Sequence, residues 1–140
     1  KRLALEFSVG SVPQRVQCDR VKLMQVLNNL LHNAIKFTEC GWVHLAVEAE
    51  DDFLRFEVSD TGPGIPPALQ EHIFEKFYQV ESLNAGRSDG TGLGLSLVRE
   101  LVGMMGGEVR VQSQPGHGTT FIFTIPRIDV ADQPAQGDQR

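Results

Sequence analysis

Hydrophobic positions along the chain follow two periods. Leu23, Val26, Leu27, Leu30, Leu31 and Ala34 recur at the i, i+3, i+4, i+7 spacing of one helix face. Asp19 stands where an N-cap is wanted, so the spacing predicts a helix from about Arg20 to Phe37, closed off by Gly41. Residues 42–49 and 53–59 instead alternate in period two, predicting paired strands that turn at Asp51-Asp52. Residues 3–8 alternate like an edge strand, with residues 15–18 expected as its hairpin partner. Pro66-Pro67 predicts a short helix reaching about Phe74. A second long helix is expected over residues 93–105, stopped by Gly106-Gly107. Residues 108–113 and 119–125 then close as a hairpin. These elements predict an α/β (α+β) two-layer sandwich: a mixed sheet of about five strands with about three helices packed on one face.

Composition narrows the class without changing that picture. The 140 residues are 41% hydrophobic and 22% charged, the make-up of one ordinary domain able to bury a core. A formal net charge of −5 leaves no basic face for nucleic acid. Cys18 and Cys40 lack metal-ligand spacing and read as free thiols of a cytoplasmic domain. No stretch approaches the roughly 18 apolar residues of a membrane span, so direct membrane contact is not expected. Residues 129–140 are polar and lack aromatics, which assigns the domain to residues 1–128 and a linker or tail to the rest. The chain opens on Lys1-Arg2-Leu3, which reads as a segment of a longer protein.

Two glycine-dense turns carry the candidate chemistry: residues 60–65 (DTGPGI) and 90–95 (GTGLGL). Glycines so close together let a ligand approach the backbone and let amides point at it. An ionised Asp60 can only accept hydrogen bonds, which suits the exocyclic amine of adenine; the plain alternative is an Asx-turn. Asn29, Asn33 and Lys36 share one helix face, within an arc of about 60°. Asparagine is a mediocre helix former, so the trio is either a solvated face or a set of ligands. As ligands, the amide oxygens suit Mg²⁺ and the ammonium suits phosphate. Residues 79–89 lack any pattern and read as a mobile loop.

Taken in order, these motifs resemble the catalytic, ATP-binding domain of sensor histidine kinases, within the superfamily that includes gyrase B and MutL. Residues 29–37 are similar to the family's asparagine box, 60–65 to its first glycine box and 74–77 to its F box. Residues 90–95 resemble the second glycine box, and 116–121 the last. The resemblance implies ATP and Mg²⁺ as cofactors and the Bergerat-type ATP-binding fold. It implies Asn33 as the metal ligand and Asn29 and Lys36 as catalytic residues at the phosphates. Asp60, with Thr119 in support, would take the adenine amine, and Gly62, Gly64 and Ile65 would line the base pocket. Tyr78 would stack on the base, residues 79–89 would form an ATP lid carrying Arg87, and Gly90, Thr91, Gly92, Leu93 and Gly94 would meet the phosphates.

Three departures refine the resemblance. Gln79 stands where many single-chain sensor kinases carry arginine, which resembles the hybrid kinases that have a receiver domain downstream. None of the 4 histidines is followed by Asp or Glu, so the phosphoacceptor is expected on a separate dimerisation domain of an inner-membrane parent, this domain itself being a cytoplasmic monomer. Asn29 occupies the place where the gyrase and MutL branch carries a glutamate base, and an amide cannot activate water. The expected function is transfer of the ATP γ-phosphoryl to that histidine, then onward to a receiver domain or response regulator. The alternative is a non-catalytic, kinase-like regulatory module.

Overall fold

The computed structural model describes residues 2–10, 17–76 and 94–127. Strand β1 (Arg2–Val9) is followed by helix α1 (Arg20–Phe37), strands β2 (Cys40–Glu50) and β3 (Phe53–Asp60), and the one-turn helix α2 (Pro67–Gln70). Helix α3 (Gly94–Met104) and strands β4 (Glu108–Gln114) and β5 (Gly118–Pro126) complete the chain order. The strands form one five-stranded sheet in the order β1-β2-β3-β5-β4.

Helix α1 begins where the sequence places it because Asp19 caps it: the side chain accepts from the Lys22 amide at 3.0 Å and pairs with the Lys22 ammonium at 2.9 Å. Lys36 lies in the last turn, where a cation suits the helix dipole. The apolar stripe of α1 turns inward, with Val26, Leu30 and Ala34 buried and Leu23, Leu27 and Leu31 packed at the margin.

Period two does the same work in the sheet. Leu54, Phe56 and Val58 of β3 and Phe121, Phe123 and Ile125 of β5 face one way and join Val98, Leu101 and Val102 of α3 in a single core. Phe56 and Phe123 are register partners whose rings stack at 4.6 Å with planes 4° apart. The opposite sheet face carries the ion pairs of Arg55 with Glu50 and Glu57. Ile122 is buried on that face, between its register partners Glu57 and Arg110.

Two expectations are corrected. Strand β1 is an edge strand, but its partner is β2 in parallel, with Arg2 opposite Cys40 and Val9 opposite Val47, and not residues 15–18. Gln17 and Cys18 are not in a strand, and residues 15 and 16 lie outside the described residues. Helix α2 stops at Gln70 instead of reaching Phe74. Beyond it the backbone continues through turns, His72 donating to Leu69 and Glu75 to His72, each at 2.9 Å. That tighter path lets the adjacent Ile73 and Phe74 both enter the core.

Candidate functional site

A cleft of about 520 Å³, part of it open to solvent, lies between α1 and the ends of β3 and β5. Asn33, Ala34 and Phe37 of α1 form one wall, Pro63, Gly64 and Ile65 another, and Asp60, Thr119 and Phe121 the floor. Ile73 and Leu95 complete the lining. The surface is apolar apart from a few convergent polar atoms, the usual make-up of a small-molecule site.

Asp60 reaches the floor because it continues the core-facing alternation of β3 after Leu54, Phe56 and Val58. A carboxylate there loses hydration, and burial pushes the Asp60 carboxyl above its ordinary value; hydrogen bonds from the Gly62 and Thr119 amides pull it back in part. The Gly62 amide donates to Asp60 Oδ1 at 2.9 Å, fixing the side chain's direction. The turn alone explains that bond, but it does not explain an apolar cleft opening over the acid.

The glycines of the first turn are required by close approach. Gly64 has φ +79°, and a methyl group built there would stand 2.1 Å from the Gln114 carbonyl oxygen. The turn is thereby pressed against the β4–β5 hairpin, and the Gly116 amide donates to the Pro63 carbonyl at 2.7 Å. Polar clamps finish the junction: the Ile65 amide donates to Ser113 Oγ at 2.8 Å, and Gln70 Nε2 donates to the carbonyls of Ile65 and Ser113 at 2.8 and 3.0 Å.

Asn33 lines the cleft, whereas Asn29 and Lys36 of the same α1 face lie outside its lining. Asn29 Nδ2 is buried and has no hydrogen-bond partner among the described residues. An orphaned amide of this kind costs on the order of 1–3 kcal/mol, a cost retained where a ligand or an ordered group relieves it. The Lys36 ammonium lies 5.2 Å from the centre of the Phe37 ring, which forms part of the cleft wall. Among the described residues no three His, Cys, Asp or Glu side chains converge on one point. The sparse neutral donor set of Asn33 suits Mg²⁺, which keeps its waters and completes its shell from substrate phosphates.

Gly94 opens α3, and among the described residues nothing lies within 4 Å of a methyl group built there. Tyr78, Arg87, Gly90, Thr91, Gly92 and Leu93, with the expected lid and Gln79, lie outside the described residues. Phe74 of the F box is buried, edge-on to Phe121 at 6.1 Å and beneath the Arg99 guanidinium at 6.0 Å, so it ties the floor to α3.

Sequence reasoning missed Ser113 and Gln70, and it placed Gly118 in the last glycine box without a role. Ser113 had a readable signal, since the alternation that turns Val109 and Val111 inward puts a hydroxyl at the next core-facing position. Gln70 gave none, because its role depends on two carbonyls brought together only by folding.

Residues 18–129 match the family described as histidine kinase-, DNA gyrase B-, and HSP90-like ATPase. The sensor histidine kinase RcsC of Escherichia coli (strain K12) is 44% identical over 120 residues, covering 86% of this chain and 13% of RcsC, so the chain spans about an eighth of that relative. Full-length ShkA, in a crystal structure with AMPPNP, superposes with a TM-score of 0.82 at 38% identity, over 92% of this chain and 26% of ShkA. The nucleotide-free catalytic domain of the histidine kinase ThkA superposes with a TM-score of 0.76 at 35% identity, over 89% of this chain and 80% of that one.

Proposed function

The chain belongs to the histidine kinase-, DNA gyrase B- and HSP90-like ATPase family, and from that premise we propose that it is the ATP-binding catalytic domain of a sensor histidine kinase. One observation carries the reading: a partly buried carboxylate, aimed by the Gly62 amide, on the floor of an apolar cleft walled by Asn33. The base enters edge-first, its exocyclic amine donating to Asp60, with Ile65, Ile73 and Phe121 against its faces and rim. The triphosphate runs outward past Asn33 toward Asn29, Lys36 and the start of α3 at Gly94. Asn33 would hold Mg²⁺ through its amide oxygen, and the ion would supply charge neutralisation at the phosphates.

Phosphoryl transfer of this type is mostly positioning and charge stabilisation, so the domain needs no nucleophile of its own. The acceptor is a histidine on a dimerisation domain of the parent protein, and a receiver domain or response regulator takes the phosphoryl next. Lys36 and Asn29 steady the phosphate end while the imidazole attacks in line. Among the described residues no helix is long and apolar enough to cross a membrane, and anchoring of the parent in the inner membrane by other segments accords with this reading.

The test is incubation of the domain with radiolabelled ATP and its cognate dimerisation domain. Acid-labile label on the dimerisation domain is the expected result. Tight ATP binding without any phosphohistidine would favour the regulatory-module alternative instead.

A further inference from the structure

We propose that Ser113 is a specificity-determining residue: it fixes the direction of the Thr119 hydroxyl so that the cleft floor offers only hydrogen-bond acceptors and selects a 6-aminopurine over a 6-oxopurine. The inference rests on the nucleotide reading above and adds how the base is chosen. Ser113 Oγ has three partners within hydrogen-bond distance: the Ile65 amide at 2.8 Å, the Gly118 carbonyl at 2.9 Å and Thr119 Oγ1 at 2.9 Å. The amide can only donate and the carbonyl can only accept. Ser113 has one proton, and it must go to Gly118, since two bare oxygens 2.9 Å apart would repel. Thr119 is then left to donate its own proton to Ser113.

That ordering leaves lone pairs alone on Thr119 Oγ1 for the cleft. Thr119 is the register partner of Asp60, and both line the same floor. Above its titration range Asp60 is likewise acceptor-only. A base edge with an amine at C6 meets acceptors there, whereas a 6-oxo edge would set oxygen against oxygen in a buried place, the kind of mismatch that discriminates strongly. Gln70 keeps the arrangement in register, since one side-chain amide holds the carbonyls of both Ile65 and Ser113. Without the serine hydroxyl, the Thr119 proton is free to rotate toward a 6-oxo group.

The experiment is calorimetric titration of the chain with ATP and with inosine triphosphate, whose base carries oxygen in place of the amine. Ser113→Ala should shrink the ATP-to-ITP affinity ratio by roughly tenfold, the equivalent of one hydrogen bond. Ser113→Thr, which retains the hydroxyl, should restore the wild-type ratio. If the alanine variant does not fold, Thr119→Val, which removes the lone pairs at constant shape, must shrink the ratio in its place. An equal loss for both nucleotides, with the ratio unmoved, overturns the inference and leaves the proposed function standing. A wild-type chain that binds neither nucleotide overturns both.

Discussion

Gly118 lies against the backbone of Asp60: a methyl group built on it would stand 2.0 Å from the Asp60 carbonyl oxygen, and its φ of +90° belongs to glycine. The acid of the cleft is thus held from behind by a residue without a side chain. Gly118→Ala should lower the unfolding midpoint by an amount equivalent to roughly 1–3 kcal/mol of backbone strain and contact, and should weaken nucleotide binding by displacing Asp60. Gly103→Ala is the matched control, because Gly103 sits inside α3 and none of the described residues lies within 4 Å of a Cβ built there. That change should raise stability by about 0.5–1 kcal/mol through helix propensity. Thermal denaturation of the two variants reads both, and equal destabilisation would contradict the assignment.

Asp60 makes binding and stability oppose each other. Its folded-state carboxyl titrates above the ordinary value of 3.8 because it is buried. Between that value and the raised one the native chain holds a proton that the unfolded chain has released. Stability attributable to this group therefore falls as pH rises through that window, and above it an ionised acid remains buried. Asp60→Asn should flatten that pH dependence and leave the fold intact or slightly stabilised, while ATP affinity collapses. ATP affinity of the wild type should fail on acidification at a pH above that of an unperturbed aspartate. Chemical denaturation and nucleotide titration across a pH series measure the two trends, and an Asp60→Asn variant that unfolds would return the residue to a purely structural role.

Asn33→Ala separates metal from nucleotide. If its amide oxygen completes an Mg²⁺ shell, the variant should lose roughly tenfold or more in ATP affinity with magnesium present and little in its absence. Calorimetry with a non-hydrolysable analogue, with and without magnesium, distinguishes this from a general wall defect, in which both affinities drop alike.

Phe123 is fully buried on β5 and stacked on Phe56 in the middle of the sheet. Phe123→Ala should cost roughly 3–5 kcal/mol of unfolding free energy, the range for large-to-small core changes. Leu30→Ala, at a fully buried site on the facing helix, should cost roughly 2–5 kcal/mol. Denaturant midpoints at constant m-value check both.

Local signals were sufficient wherever a segment's structure depends on its own residues. The cap and stripe of α1 reproduce its observed limits, because Asp19 bonds within its own first turn and the stripe needs only some apolar partner. The β2–β3 and β4–β5 hairpins likewise follow from alternation and short turns. The partner of β1 is not legible locally, because a strand's alternation says that it pairs, not with what; residues 15–18 are the nearest suitable run, whereas parallel pairing with β2 requires a crossover through α1.

The sequence by itself determined the spacing of the boxes, the inward phase of Asp60 and Ser113 on their strands, and the face shared by Asn33 and Lys36. Those properties are periodic and survive in any fold that respects the pleat and the helical turn. Only the tertiary structure decided that Gly118 backs Asp60 and that Gln70 bridges two carbonyls from distant segments. Such contacts arise between residues far apart in the chain, where a hydrogen bond needs atoms placed to within a few tenths of an ångström and sequence spacing fixes no distance.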